Sequence, residues 1–114
     1  MKQNEVLAAL LPELRRGVVV LCVLSSLRQP QYGYNLVTQL GEHGLPVEAN
    51  TLYPLLRRLE GQGLLQSRWE TGEAKPRKYY GLTPMGLEVY HSLKALWDAT
   101  TQSVQELLEE EEEP

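Results

Sequence analysis

The chain has one cysteine, two histidines and no apolar run longer than seven residues, and each scarcity removes a class of protein. With Cys22 alone, no disulfide can form within the chain, and its place in the run VVVLCVL (18–24) reads as a buried, inert thiol. That run falls far short of the roughly 20 residues that cross a bilayer. No signal-peptide pattern precedes it, which points to the cytoplasm and away from a membrane partner. His43 and His91 stand apart from one another and from other ligand-type residues, so no metal site is indicated. A nucleophile with its base, paired carboxylates in a pocket and a phosphate loop are all missing at recognisable spacing, so neither catalysis nor a cofactor is expected.

What is present fits one modest core. The 114 residues are too few for two ordinary domains, and 42 % hydrophobic with 23 % charged residues is the composition of a chain that folds. The net charge of −4 is divided unevenly: residues 1–80 carry +3 and residues 81–114 carry −7. The acidity belongs to the tail, which leaves the first part basic enough to meet a polyanion.

Along the chain, Pro12 and Gly17 separate a short leading helix from a strongly apolar one over about 16–27. The segment RQPQY (28–32) reads as a turn. Leu36, Val37 and Leu40 then mark a helix that ends by Gly44, before Pro46. A third helix lies in the stretch TLYPLLRRLEGQGLL (51–65); after Gly63 the period changes, and the extended segments 64–70 and 77–83 form a β-hairpin. Thr83 followed by Pro84 is a helix start, an N-cap hydroxyl with proline at the first helical position. The helix it opens carries Tyr90, Leu93, Trp97, Thr100, Val104 and Leu107 at alternating spacings of three and four, a heptad seam that wants a partner helix. Glutamates 109–113 repel one another at an unfavourable helix end and should fray it. The expected fold is mainly α with a small β-hairpin. It is a winged helix-turn-helix domain over 1–83 with an N-terminal helical extension, followed by a dimerisation helix and acidic tail over 84–114.

At 100° per residue, Leu52, Leu55, Leu56 and Leu59 gather on one side of the third helix, while Asn50, Pro54 and Arg57 face the other way, flanked by Tyr53 and Arg58. An amide suited to adenine, a guanidinium suited to guanine or phosphate, and a phenol able to donate to phosphate make a major-groove surface. Pro54 early in the helix forfeits one backbone bond, and its flat ring can lie on a thymine methyl. The bland reading has Arg57 and Arg58 merely solvating an exposed face and pairing with Glu60 or Glu13. Against it stands a second basic cluster on the hairpin, Lys75, Arg77 and Lys78 against Glu73. Tyr79 and Tyr80 should divide between the two faces of their strand, and Trp69 should close the core near the hairpin base.

YGYNL (32–36), the 51–65 stretch, KPRKYYGLT (75–83) and a terminal helix bearing Trp97 resemble, over about residues 16–108, the PadR family of bacterial transcriptional regulators. The resemblance implies a winged helix-turn-helix that dimerises through its last helix, as in the small subfamily. Tyr32, Tyr34, Thr51, Tyr53 and the basic wing would then contact operator DNA. It also implies a second role for Trp97, with Leu93 a turn before it, since in some small members the corresponding tryptophan stacks on flat apolar compounds between subunits. The chain departs from the family at Glu48, Ala49 and Asn50, where members often carry Ser, Pro and Gly. It departs again at Gly81, which trims the wing, and in its longer leading helix, which is suited to embracing a partner subunit. The expected function is a homodimeric repressor on a palindromic double-stranded operator, relieved by a planar aromatic or cationic ligand. The competing class is a winged helix turned to protein binding through its acidic helix.

Overall fold

The computed structural model describes residues 2–72 and 75–111, and among them four helices and three strands. Helices α1 (Gln3–Ser26), α2 (Gly33–Glu42) and α3 (Ala49–Gly61) precede the wing strands β2 (Leu65–Glu70) and β3 (Arg77–Leu82), and α4 (Pro84–Glu111) follows. A two-residue strand, β1 (Gln31–Tyr32), pairs with β3, so the sheet is three-stranded and antiparallel in the order β1-β3-β2. Two residues carry no periodicity, which is why the segment reads as a turn in sequence. Glu73 and residues 112–114 lie outside the described residues, so part of the acidic tail expected to fray does too.

The leading segment is one helix, not two: α1 runs unbroken for 24 residues through Pro12 and Gly17. Pro12 costs one backbone bond, and the carbonyl it leaves unpaired, on Ala8, belongs to an exposed stretch where water replaces the donor. The strong helix formers on either side, from Leu7 to Leu11 and from Glu13 to Arg16, carry the helix across.

Packing follows the apolar faces. Val23, Leu24 and Leu27 of α1, Leu36 and Leu40 of α2, Leu52, Leu56 and Leu59 of α3, Leu65 and Tyr80 of the sheet and Tyr90 of α4 form one buried cluster. Each fully buried leucine contributes about 1.5–3 kcal/mol relative to exposure. Cys22 at the cluster's edge is half-buried, and burial raises its thiol pKa, which keeps it protonated.

Helices α2 and α3 end alike. Gly44 and Gly63 adopt φ of 82° and 83°, and the following amides reach back to Leu40 and Leu59 at 2.8 and 3.0 Å, a left-handed cap that turns the chain sharply. The second of these caps fixes the wing's root. The Thr83 hydroxyl donates to the Gly63 carbonyl at 2.6 Å and accepts the Gly86 amide at 2.9 Å, capping α4 while tying it to the end of α3. Gly86 has no room for a side chain, because a Cβ there would run into the backbone carbonyl of Leu64.

Tyr90 belongs to this core, not to an intersubunit seam: it is 5 % exposed, Ser25 Oγ donates to its hydroxyl at 3.5 Å, and Arg28 lies over its ring. Leu93 packs against the same cluster. Beyond it Leu96, Trp97, Thr100, Val104, Leu107 and Leu108 are all exposed, and so is the stripe Val6, Leu7, Leu10, Leu11 and Leu14 on α1. Both helices project from the domain, and the radius of gyration of 17.0 Å exceeds the roughly 13 Å of a compact chain this long. Among the described residues no helix is long and apolar enough to cross a membrane.

Candidate nucleic-acid interface

Helix α3 is divided as its sequence dictates. Leu52, Leu56 and Leu59 are buried and Leu55 half-buried; Asn50, Thr51, Pro54, Arg57 and Arg58 are exposed. Since Pro54 lacks an amide, the Asn50 carbonyl loses its usual i+4 helical donor on the exposed side. Neither arginine forms an ion pair among the described residues, and Glu60, a partner the bland reading needs, is engaged elsewhere. Glu48 precedes α3 without a side-chain cap bond.

Tyr53 is half-buried where α3 meets α2. The meeting depends on Gly33, since a Cβ there would lie 2.9 Å from the Tyr53 ring and 3.3 Å from that of Tyr80. The Tyr80 phenol is raised above its ordinary pKa, chiefly by burial and further by Glu60 and Tyr53, with Arg57 opposing, so it stays protonated.

The wing presents two unlike faces. On one, Arg68 lies 5.0 Å from the Tyr79 ring centroid, Tyr79 meets Tyr32 edge-on at 5.0 Å, and Tyr32 stacks on Tyr34 at 5.7 Å. Arg77 covers both of the latter rings and donates from Nη1 to the Tyr34 hydroxyl at 3.2 Å, clamping the wing to the start of α2. On the other face Lys78 turns inward to Glu60 at 3.5 Å, and Ser67 Oγ donates to the same carboxylate at 2.6 Å. Lys75 and Arg77 remain exposed, whereas Lys78 is half-buried. Tyr79 and Tyr80 thus lie on opposite faces, and only Tyr80 enters the core. Gly81 is buried against Pro30 at the sheet's base, where a Cβ would lie 3.3 Å from the proline ring, so the bare position seats the turn before β1.

Between α3 and the wing runs an open groove of about 470 Å³, whose walls include Tyr34, Tyr53, Arg57, Trp69, Arg77 and Lys78. Trp69 is the residue that sequence reasoning misplaces. It is 61 % exposed in this groove and does not close the core. Strand alternation does put it on the face of Leu65 and Ser67, but it stands four residues along from Leu65, about 13 Å, opposite Lys78 and past the cover of the buried leucines. The distance to the wing's root was the available signal.

Trp97 lies apart from this region, 42 % exposed on α4. His43 Nδ1 is 2.8 Å from the Gln39 carbonyl, and His91 packs obliquely on Tyr90. No cluster of metal-ligating side chains occurs among the described residues. A second cleft, about 530 Å³, lies between α1 and α2, and within it the Gln31 amide donates to the Ser26 carbonyl and to Gln39.

A model of the PadR-like transcriptional regulator family matches residues 20–96. The transcriptional regulator Rv3488 of Mycobacterium tuberculosis is 37 % identical over 75 residues, which are 65 % of this chain and 70 % of that protein. Among solved structures, a PadR family regulator from Eggerthella lenta is 53 % identical with a TM-score of 0.87, over 93 % of this chain and 95 % of the other. A PadR-like regulator from Bacillus cereus is 33 % identical with a TM-score of 0.76, over 84 % and 96 %. With sequence and fold in agreement, the chain belongs to the PadR-like family of transcriptional regulators, which are not enzymes.

Proposed function

We propose that the chain is a homodimeric repressor that works in the cytoplasm, setting one α3 helix of each subunit into successive major grooves of a palindromic operator with the wings alongside. The observation that carries this reading is the outward face of α3. Asn50, Thr51, Pro54, Arg57 and Arg58 are all exposed, and both arginines are without an acidic partner among the described residues. Tyr53 borders that face, Tyr34 and Arg77 continue it across the groove, and Tyr32 stacks on Tyr34 while Lys75 stands exposed beside Arg77. A guanidinium and an amide on a helix match guanine and adenine edges, and the flanking cations match phosphates.

The dimer is supported by the apolar residues that one chain cannot cover, Trp97, Val104 and Leu107 of α4 and the leucine stripe of α1. Two Trp97 side chains near such an axis would offer flat faces to a planar aromatic or cationic inducer, with Leu93 beside them.

A mobility-shift titration against duplexes selected from a random library tests the reading. A sequence-specific shift that weakens steeply with salt and saturates at two chains per duplex is expected. A module that binds only proteins would select no sequence. Transcription from a promoter carrying the selected site should fall when the protein is added, and a rise would make the chain an activator.

A further inference from the structure

Trp69 is a large apolar side chain left open to water in the groove that holds Arg57 and Tyr53, and the residues around it fix its position. The Lys78 ammonium lies 5.7 Å from the indole centroid and 5.6 Å from that of Tyr80, and its charge is met by Glu60 of α3 at 3.5 Å. Glu60 is held in turn by Ser67 of β2 at 2.6 Å. This chain of contacts ties the recognition helix to the wing through Glu60 and Lys78. Lys78 is thereby spent inside the protein, while the indole it supports keeps an open side.

We propose that Trp69 is a DNA-contacting residue of the wing, its indole lying against deoxyribose edges in the minor groove beside the α3 site, and that Lys78 is a positioning residue and not a phosphate ligand. This rests on the reading of α3 and the wing as the DNA interface. A flat apolar ring suits sugar edges, and the indole N–H suits the N3 and O2 acceptors that line a minor groove. Because the contact neutralises no phosphate, it releases no counterion, and its removal leaves the salt dependence intact.

The test uses the full chain and a fluorescently labelled duplex carrying the selected operator, with binding followed by anisotropy over a salt series. Trp69→Ala is expected to weaken binding about tenfold with an unchanged salt slope, and Trp69→Phe to recover most of the loss. Duplex addition should change the intrinsic tryptophan emission of the wild type and leave that of Trp69→Phe unaltered. Lys78→Met should weaken binding, again at constant slope, while altering the emission of the free protein. Wild-type affinity in Trp69→Ala, alongside weakened Arg57→Ala, overturns the inference and leaves the interface standing. A salt slope lowered by about one in Lys78→Met makes that lysine a phosphate contact and overturns its positioning role. Absence of operator binding by the wild type overturns the reading of the interface itself. Since Trp69 is exposed, circular dichroism melting should show both tryptophan variants folded.

Discussion

Arg57 points away from Leu52, Leu56 and Leu59 and meets no acid among the described residues, so its guanidinium is free for whatever docks on α3. If it is bidentate on guanine, Arg57→Ala is expected to cost about 1–3 kcal/mol of operator affinity and to relax base preference at one position. Equal weakening on all sequences, with a smaller salt slope, would place it on phosphate, and unchanged binding would remove it from the interface. This face is legible in the sequence because helical position at 100° per residue is a local property, and Asn50, Pro54 and Arg57 obey it. Trp69 and Tyr90 are illegible for the complementary reason. Alternation gives Trp69 its face of the sheet, and the three-four spacing gives Tyr90 its stripe. Whether a residue on that face is covered depends on where α3 ends beneath the wing and where α4 leaves α1, and no local pattern encodes either.

The wing is an element with two jobs, and its cations divide between them. Arg77 holds Tyr34 and lies over Tyr32, Lys78 holds Glu60, and Lys75 at the turn is exposed with no ion pair among the described residues. Lys75→Ala is therefore expected to lower the slope of log K against log salt by about 0.9 per subunit, the signature of one phosphate lost, without changing stability. A slope equal to wild type would show the tip standing off the duplex. Arg77→Ala should in addition loosen the wing from α2, seen as faster amide exchange at Tyr32 and Tyr79. At this scale the sequence reads well where periodicity is long, as in α3, the hairpin and the Thr83 start of α4. It reads poorly at β1, whose two residues become a strand only because β3 offers them partners, and at α1, where Pro12 looks like a stop. Helix propensity summed over many residues outweighs one lost hydrogen bond on an exposed face.

At the scale of the whole molecule the outstanding feature is uncovered apolar length. α4 is a rod of 28 residues, about 42 Å at 1.5 Å per residue, whose buried residues all lie in its first part and whose described side chains beyond Leu93 are exposed except at the half-buried Thr101. Because Tyr90 and Leu93 belong to that part, a chain ending after Lys94 keeps its core and loses only the projecting half. It is expected to fold, to sediment as a monomer and to bind one half-site weakly, since two α3 helices would no longer be held one helical turn apart. A stable dimer of that truncated chain would place the interface on α1, where Val6, Leu7, Leu10, Leu11 and Leu14 are exposed. In the proposed dimer, the packing of Trp97 distinguishes a sealed seam from a ligand pore. If the two indoles pack into a closed seam, Trp97→Ala empties a buried aromatic site and should destabilise the dimer by about 3–5 kcal/mol, read as a rise in its dissociation constant. If they line a gap, the same change should leave the dimer nearly intact. It should then abolish the quenching of tryptophan emission by planar cationic dyes, measured in a Trp69→Phe background so that only Trp97 reports. A destabilised dimer together with failure of every dye in a broad panel to quench Trp97 would sink the inducer reading, because a closed seam admits no ligand and the two outcomes require opposite packings of the same residue.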